Sequence, residues 1–260
     1  MPILSASIVP NLSLLVPGVG QANLLTYRQT VTAYQNLAQK IKRLGIETVV
    51  IVSNRGVTPE NGLAINLHHK FNLNFEEFGD LATKLNCASD LELIAMIKNQ
   101  LEAVMPVSML SLNPLDYGAA VPLVYLLSAK KVNVLTIYPS SQGLYHQSEL
   151  GRQLGAIIHN SPKRVALLAS ANLSSHLADS PLGYLPQAKG YDKKIIKGFE
   201  TNNFKYLFSL KNEDVAQYYD QSLAPLGILA GATAEFKKTV KTVSYEHPQG
   251  LGLAVVDFEF

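Results

Sequence analysis

The side chains able to do chemistry in this chain gather where apolar runs stop. Residues 165–169 (VALLA) empty into Ser170-Ala171-Asn172-Leu173-Ser174-Ser175-His176, with Gly183-Tyr184 following. Residues 48–52 (TVVIV) end in Ser53-Asn54-Arg55-Gly56, and the first apolar run ends in Pro10-Asn11. A strand that stops in small polar residues is where open α/β sheets place ligands. His176 in such a loop could serve as a base or point away from the site. Arg55 is a permanent cation with a fork of donors, suited to a carboxylate or phosphate, or else a solvated loop residue. Asn11 either lines a pocket or satisfies the turn after Pro10.

Other chemistries fare worse. His68 and His69 are adjacent, so in a strand they point to opposite faces and could not easily share a metal. His146, His159 and His247 fall in helix or turn positions without matched acids. Ser170, Ser174 and Ser175 lack the Gly-x-Ser-x-Gly elbow of hydrolases, and no Walker or dinucleotide glycine pattern occurs. Cys87 is the single cysteine, which excludes an internal disulfide and a Cys-based zinc site. It is expected to be a small buried hydrophobe in a loop ahead of a helix.

These residues need elements to hold them. Residues 3–9 and 132–138 have the apolar density of buried strands, like 48–52 and 165–169. A short strand is expected at 65–67. Helices are expected at 26–44, ended by Gly45, and at 90–104, opened by a capping box from Ser89 to Glu92. The nearly all-apolar segment 118–127 reads as a buried helix with Asp116 as its N-cap. Residues 150–158 mark another helix. A helix should start at Asp192, with helical stretches to about Asp220. Residues 224–234 are small and apolar enough for a core helix despite Pro225 and their glycines. Residues 239–245 and 251–260 form a β-hairpin across His247-Pro248-Gln249-Gly250.

The alternation predicts an α/β fold, a three-layer αβα sandwich around a mostly parallel central sheet, with the C-terminal hairpin on a sheet edge. At 260 residues with no linker, repeat or low-complexity tract, one domain spanning 1–260 is expected. Apolar content of 47% argues for a generous core rather than disorder. A formal charge of +2 without a basic stripe disfavours nucleic-acid partners. The apolar N-terminus is interrupted by Pro10 and Pro17 and has no basic leader, so neither a membrane span nor a signal peptide is expected. A reducing cytoplasm fits the cysteine usage.

Taken in order, several segments resemble the LigB-type class III extradiol dioxygenases and their Memo-like relatives. They are Ile8-Val9-Pro10 with Leu15-Val16-Pro17, residues 65–79 (INLHHKFNLNFEEFG), residues 115–123 (LDYGAAVPL), the signature loop at 170–176, residues 220–233, and Ser244-Tyr245-Glu246 before Gly250-Leu251-Gly252. The resemblance implies an iron(II) site of two histidines and one carboxylate with open coordination positions. By that likeness the first histidine falls on Asn11, the second on Arg55 and the carboxylate near Asp220. Two further pocket histidines fall on Tyr117 and Ser175. An amide oxygen is a weak neutral ligand and a guanidinium has no lone pair to give, so no cofactor is expected. The expectation is a diverged or non-catalytic member that binds a small, anionic molecule through Arg55 with Tyr117 and Ser175, unless Arg55 pairs with Asp220 and seals the pocket. Asp220 could also be a relic ligand or an ordinary helix-surface acid. The alternatives are an active Fe(II) dioxygenase with relocated ligands, drawn from His68, His69 or His176 with a carboxylate, and a structural subunit pairing with its own or a homologous chain.

Overall fold

The computed structural model describes residues 3–218 and 222–260. The first half runs β1 (Ile3–Val9), α1 (Pro17–Gly20), α2 (Arg28–Arg43), β2 (Thr48–Ser53), β3 (Leu63–Asn66), β4 (Lys70–Phe75), β5 (Asp80–Ala88), α3 (Leu91–Leu101), β6 (Val107–Leu110) and α4 (Tyr117–Ala129). The second runs β7 (Asn133–Pro139), α5 (Leu144–His159), β8 (Val165–Ser170), α6 (Ala188–Glu200), α7 (Lys205–Ser209), α8 (Asn212–Ala216), α9 (Leu223–Thr233), β9 (Thr239–Glu246) and β10 (Leu253–Glu259).

Eight strands form one sheet in the order β6-β3-β7-β2-β8-β1-β10-β9, and β4 and β5 pair separately. β7, β2, β8 and β1 run parallel. Every residue of β2 and β8 is buried, as strands between two helical layers require. β3 runs the other way, with Leu63 opposite Pro139 and Asn66 opposite Thr136, and β6 lies parallel to it. On the other flank β10 is antiparallel to β1 and β9 to β10. The expected hairpin therefore extends the sheet and leaves β9 at its edge.

Each face of the sheet has its own core. On one, Leu93 and Ile97 of α3, Leu154 of α5, Phe199 of α6 and Ile228 of α9 cover β-strand residues such as Val50 and Leu167. On the other, Tyr34 and Ile41 of α2 and Leu123 of α4 pack with Phe71 and Phe75 of β4. The Tyr34 and Tyr125 rings stack at 4.8 Å, and their hydroxyls donate to the carbonyls of Pro10 and Leu15. The loop after β1 is thereby tied to both helices on that side.

α5 and α9 meet through facing glycines. α5 carries Gly151 and Gly155, and α9 carries Gly227 and Gly231, each pair one helical turn apart. A β-carbon at Gly151 would overlap the Ile228 carbonyl, and one at Gly231 would overlap the Ser148 carbonyl. Only a residue without a side chain allows backbones to approach this closely. The glycines that look unfavourable for a helix at 224–234 are what let it pack.

Several local expectations need correction. The 26–44 helix opens as a 3-10 stretch, Gln21–Tyr27, before α2, and Gly45 ends it at φ +64° as expected. Asp90 rather than Ser89 caps α3, accepting the Leu93 N–H at 3.0 Å. Asp90 competes better because its carboxylate also takes the Thr48 hydroxyl, while Ser89 donates to the His68 carbonyl. Cys87 sits in β5, not in a loop. α6 begins at Ala188, and Asp192 is buried within it.

Candidate functional site

The parallel strands β1, β2 and β8 all end beside the first turn of α4. Sequence dictates that turn: Asp116 caps the helix by accepting the Ala119 N–H at 3.1 Å. The same carboxylate accepts the Ser53 hydroxyl at 2.5 Å and the Tyr138 hydroxyl at 2.9 Å. Burial, and then the charge of Asp116, pushes the Tyr138 hydroxyl well above the ordinary tyrosine range, so it stays a neutral donor. Two residues on, Gly118 gives the strand ends room. A β-carbon there would lie 2.5 Å from Ser53 Oγ and 2.7 Å from Arg55 Cγ. Its carbonyl accepts the Ser170 hydroxyl at 2.5 Å.

Asn11 joins this centre through Ser170. Its Nδ2 donates to Ser170 Oγ at 3.0 Å, and its backbone N–H donates to Asn172 Oδ1 at 2.8 Å. Asn172 Nδ2 returns a hydrogen bond to Asn11 Oδ1 at 2.8 Å. Asn11 is fully buried, and both ends of its amide are in use. Asn11 locks the end of β1 to the end of β8.

Arg55 and Tyr117 are brought together, the guanidinium carbon 5.5 Å from the ring centroid. Phe78, between β4 and β5, meets Tyr117 edge to face at 5.3 Å and fixes the ring. Ser175 lies in the loop after β8, its N–H donating to the Tyr218 carbonyl and its carbonyl accepting from Ser180 Oγ at 2.6 Å. Asp220 lies outside the described residues. His176 is buried, and its Nδ1 donates to the Gly183 carbonyl at 2.7 Å. Gly183 holds φ +99°, which closes that loop around the imidazole. Beneath the loop, Asp192 accepts the Ser174 N–H at 3.0 Å and the Tyr245 hydroxyl at 2.8 Å. A cavity of about 510 Å³ opens beside Asn54, between Ser140, the start of α5 and the start of α9, with Lys211 on its wall.

Sequence reading missed the convergence on Gly118 and the role of Tyr138. A glycine two places after a capping aspartate is the signal that could have marked a close approach.

The donor set for iron(II) can be tested on these contacts. Asn11 Oδ1 is held by Asn172, and Arg55 offers no lone pair. Among the described residues no group of three or more His, Cys, Asp or Glu side chains is placed to hold a metal ion. Topology separates the histidines proposed as relocated ligands. Because β3 is reversed, the chain leaves it towards the start of β7, where the Ser89 N–H reaches the His69 carbonyl and Ser89 bridges Val134. His176 follows the opposite end of the sheet, after β8. A strand of six residues spans roughly 20 Å, far beyond one coordination sphere. The described residues do not fit a site of two histidines and one carboxylate.

The sheet order, the strand-end polar cluster and the antiparallel flanks define an open α/β protein with its candidate site at the carboxyl ends of parallel strands. The family model described as the catalytic LigB subunit of aromatic ring-opening dioxygenase matches residues 8–256, and the chain belongs to the LigB family. It is 21% identical to protein CA_C1420 of Clostridium acetobutylicum, over 97% of this chain and 56% of that protein. The chain therefore spans about half the length of that relative. The crystal structure of the uncharacterized protein JW3007 from Escherichia coli K12 has the same fold, with a TM-score of 0.67 at 15% identity, covering 98% of this chain and 99% of that one. Among the described residues no helix is long and apolar enough to cross a membrane.

Proposed function

We propose that this LigB-family chain binds a small organic or inorganic anion at the strand ends, with Arg55 as its anchor, and does so without iron chemistry. The observation that carries the reading is the pairing of a committed amide with a cation where the family likeness expects two imidazoles. Asn11 is spent on Asn172 and Ser170, and Arg55 lies over Tyr117. A guanidinium presents a planar fork of N–H donors that matches the geometry of a carboxylate or a phosphate. The 510 Å³ cavity has Asn54, the residue before Arg55, and Lys211 on its wall, while Arg55 and Tyr117 lie outside its lining.

Two measurements on purified protein test this. Metal analysis before and after adding ferrous iron, with a catechol ring-opening assay, should give substoichiometric iron and no ring-opened product. Calorimetric titration with benzoate and with inorganic phosphate should show binding of at least one, weakened at least tenfold by Arg55→Gln. Stoichiometric iron with ring opening would establish the active dioxygenase instead, and an unchanged affinity in Arg55→Gln would remove Arg55 from the site.

A further inference from the structure

A larger cavity, about 990 Å³, opens at the opposite end of the sheet, where Glu47 precedes β2 and Asn133 begins β7. One wall comes from the β4–β5 hairpin and the other from the end of α4 and the chain leading into β7. Leu85, Leu127 and Val132 give it an apolar lining, and Lys70, Lys130 and Lys131 give it cations. Two lysines after a helix are ordinarily explained by the carbonyls of its last turn. Here that explanation covers one wall alone, because Lys70 belongs to β4 on the other. Lys130 is also pinned, its ammonium donating to the Ile46 carbonyl at 2.6 Å. The acid in the lining, Glu47, accepts the Arg164 N–H at 2.9 Å and leaves the balance of charge positive.

We infer that this cavity is a second binding site, separate from the strand-end cluster, for a small amphiphilic carboxylate whose apolar body lies between the β4–β5 hairpin and α4 and whose anion meets Lys70, Lys130 and Lys131. Its size suits one such molecule, since small-molecule pockets run from roughly 300 to 1,000 Å³. Apolar walls with a few fixed polar groups are the usual build of such a site.

Calorimetric titration of the full chain with octanoate, octanol and octylamine tests the inference. Octanoate should bind, octanol at least tenfold more weakly and octylamine not at all, and octanoate affinity should fall with added salt. Lys70→Glu combined with Lys131→Glu, both exposed positions, should weaken octanoate at least tenfold while circular dichroism is unchanged. Equal binding of octanol or no effect of the charge reversals would overturn the site. So would octanoate binding that is lost in Arg55→Gln but kept in the lysine variants, which would place the ligand at the strand ends.

Discussion

At the scale of single residues, Asp116 carries more than any group that sequence reading ranked for function. It closes the first turn of α4 and takes the hydroxyls of Ser53 and Tyr138 on the same carboxylate. Asp116→Ala should cost about 3 kcal/mol in urea unfolding, combining a lost cap with buried hydroxyls left without an acceptor. Asp116→Asn, which keeps an acceptor but not the charge, should cost about 1 kcal/mol. Arg55 and Asn11 could be picked out beforehand because each stands just past an apolar run, where the chain must leave the sheet. Their partners could not. The Asn11–Asn172 pair joins residues 161 apart in sequence, and nothing local in either segment encodes which amide the other will meet. Composition likewise cannot tell a pocket-lining asparagine from one that staples two strand ends.

At the scale of elements, the contact between α5 and α9 sets the strictest requirement. Gly231→Ala should destabilise the fold by about 2 kcal/mol or more, because the new methyl meets the Ser148 carbonyl and the helices must separate. Gly190→Ala in α6 is the matching control. Apart from the flanking residues and the helix's own backbone, no heavy atom lies within 4 Å of where a β-carbon would sit, so alanine should stabilise by about 0.5–1 kcal/mol through helix propensity and a more restricted unfolded chain. Thermal unfolding of the two variants beside the parent checks both signs. The strands that sequence made plain are those buried on both faces, whose β-branched runs leave no other reading. β5 and β6 were hidden for the converse reason: most of their residues are exposed or half-exposed, so no apolar run marks them. The reversal of β3 was equally hidden, since the direction of a strand is decided by its connections and not by its own residues.

At the scale of the whole molecule, buried tyrosines tie stability to alkaline pH. Burial raises the Tyr125 hydroxyl to about 12 and places Tyr34 well above its ordinary value. Burial is also the main cause at Tyr27, Tyr138 and Tyr245, assisted by the carboxylates of Glu246, Asp116 and Asp192 respectively. The folded chain therefore keeps protons that the unfolded chain releases near pH 10, and the stabilisation present below that pH is lost as pH rises above it. Each withheld proton contributes about 1.4 kcal/mol per pH unit. Burial also raises the Cys87 thiol to about 12, so urea midpoints should begin to decline near pH 9 and fall steeply beyond 10, with the late rise in tyrosinate absorbance coinciding with unfolding. A midpoint that stays flat to pH 11 would show these hydroxyls to be wetter than the fold makes them.

The facing glycines of α5 and α9 also bear on the cavity beside Asn54, because both helices begin at its wall, through Gly143 and Leu144 on one and Leu223 and Ala224 on the other. Main chain pressed against main chain has no rotamers to exchange, so the spacing of those two helices acts as a fixed gauge. Substitutions among the lining side chains can alter which chemical groups a guest meets while the calibre between the helices stays the same. Guests would be sorted by girth before they are sorted by charge.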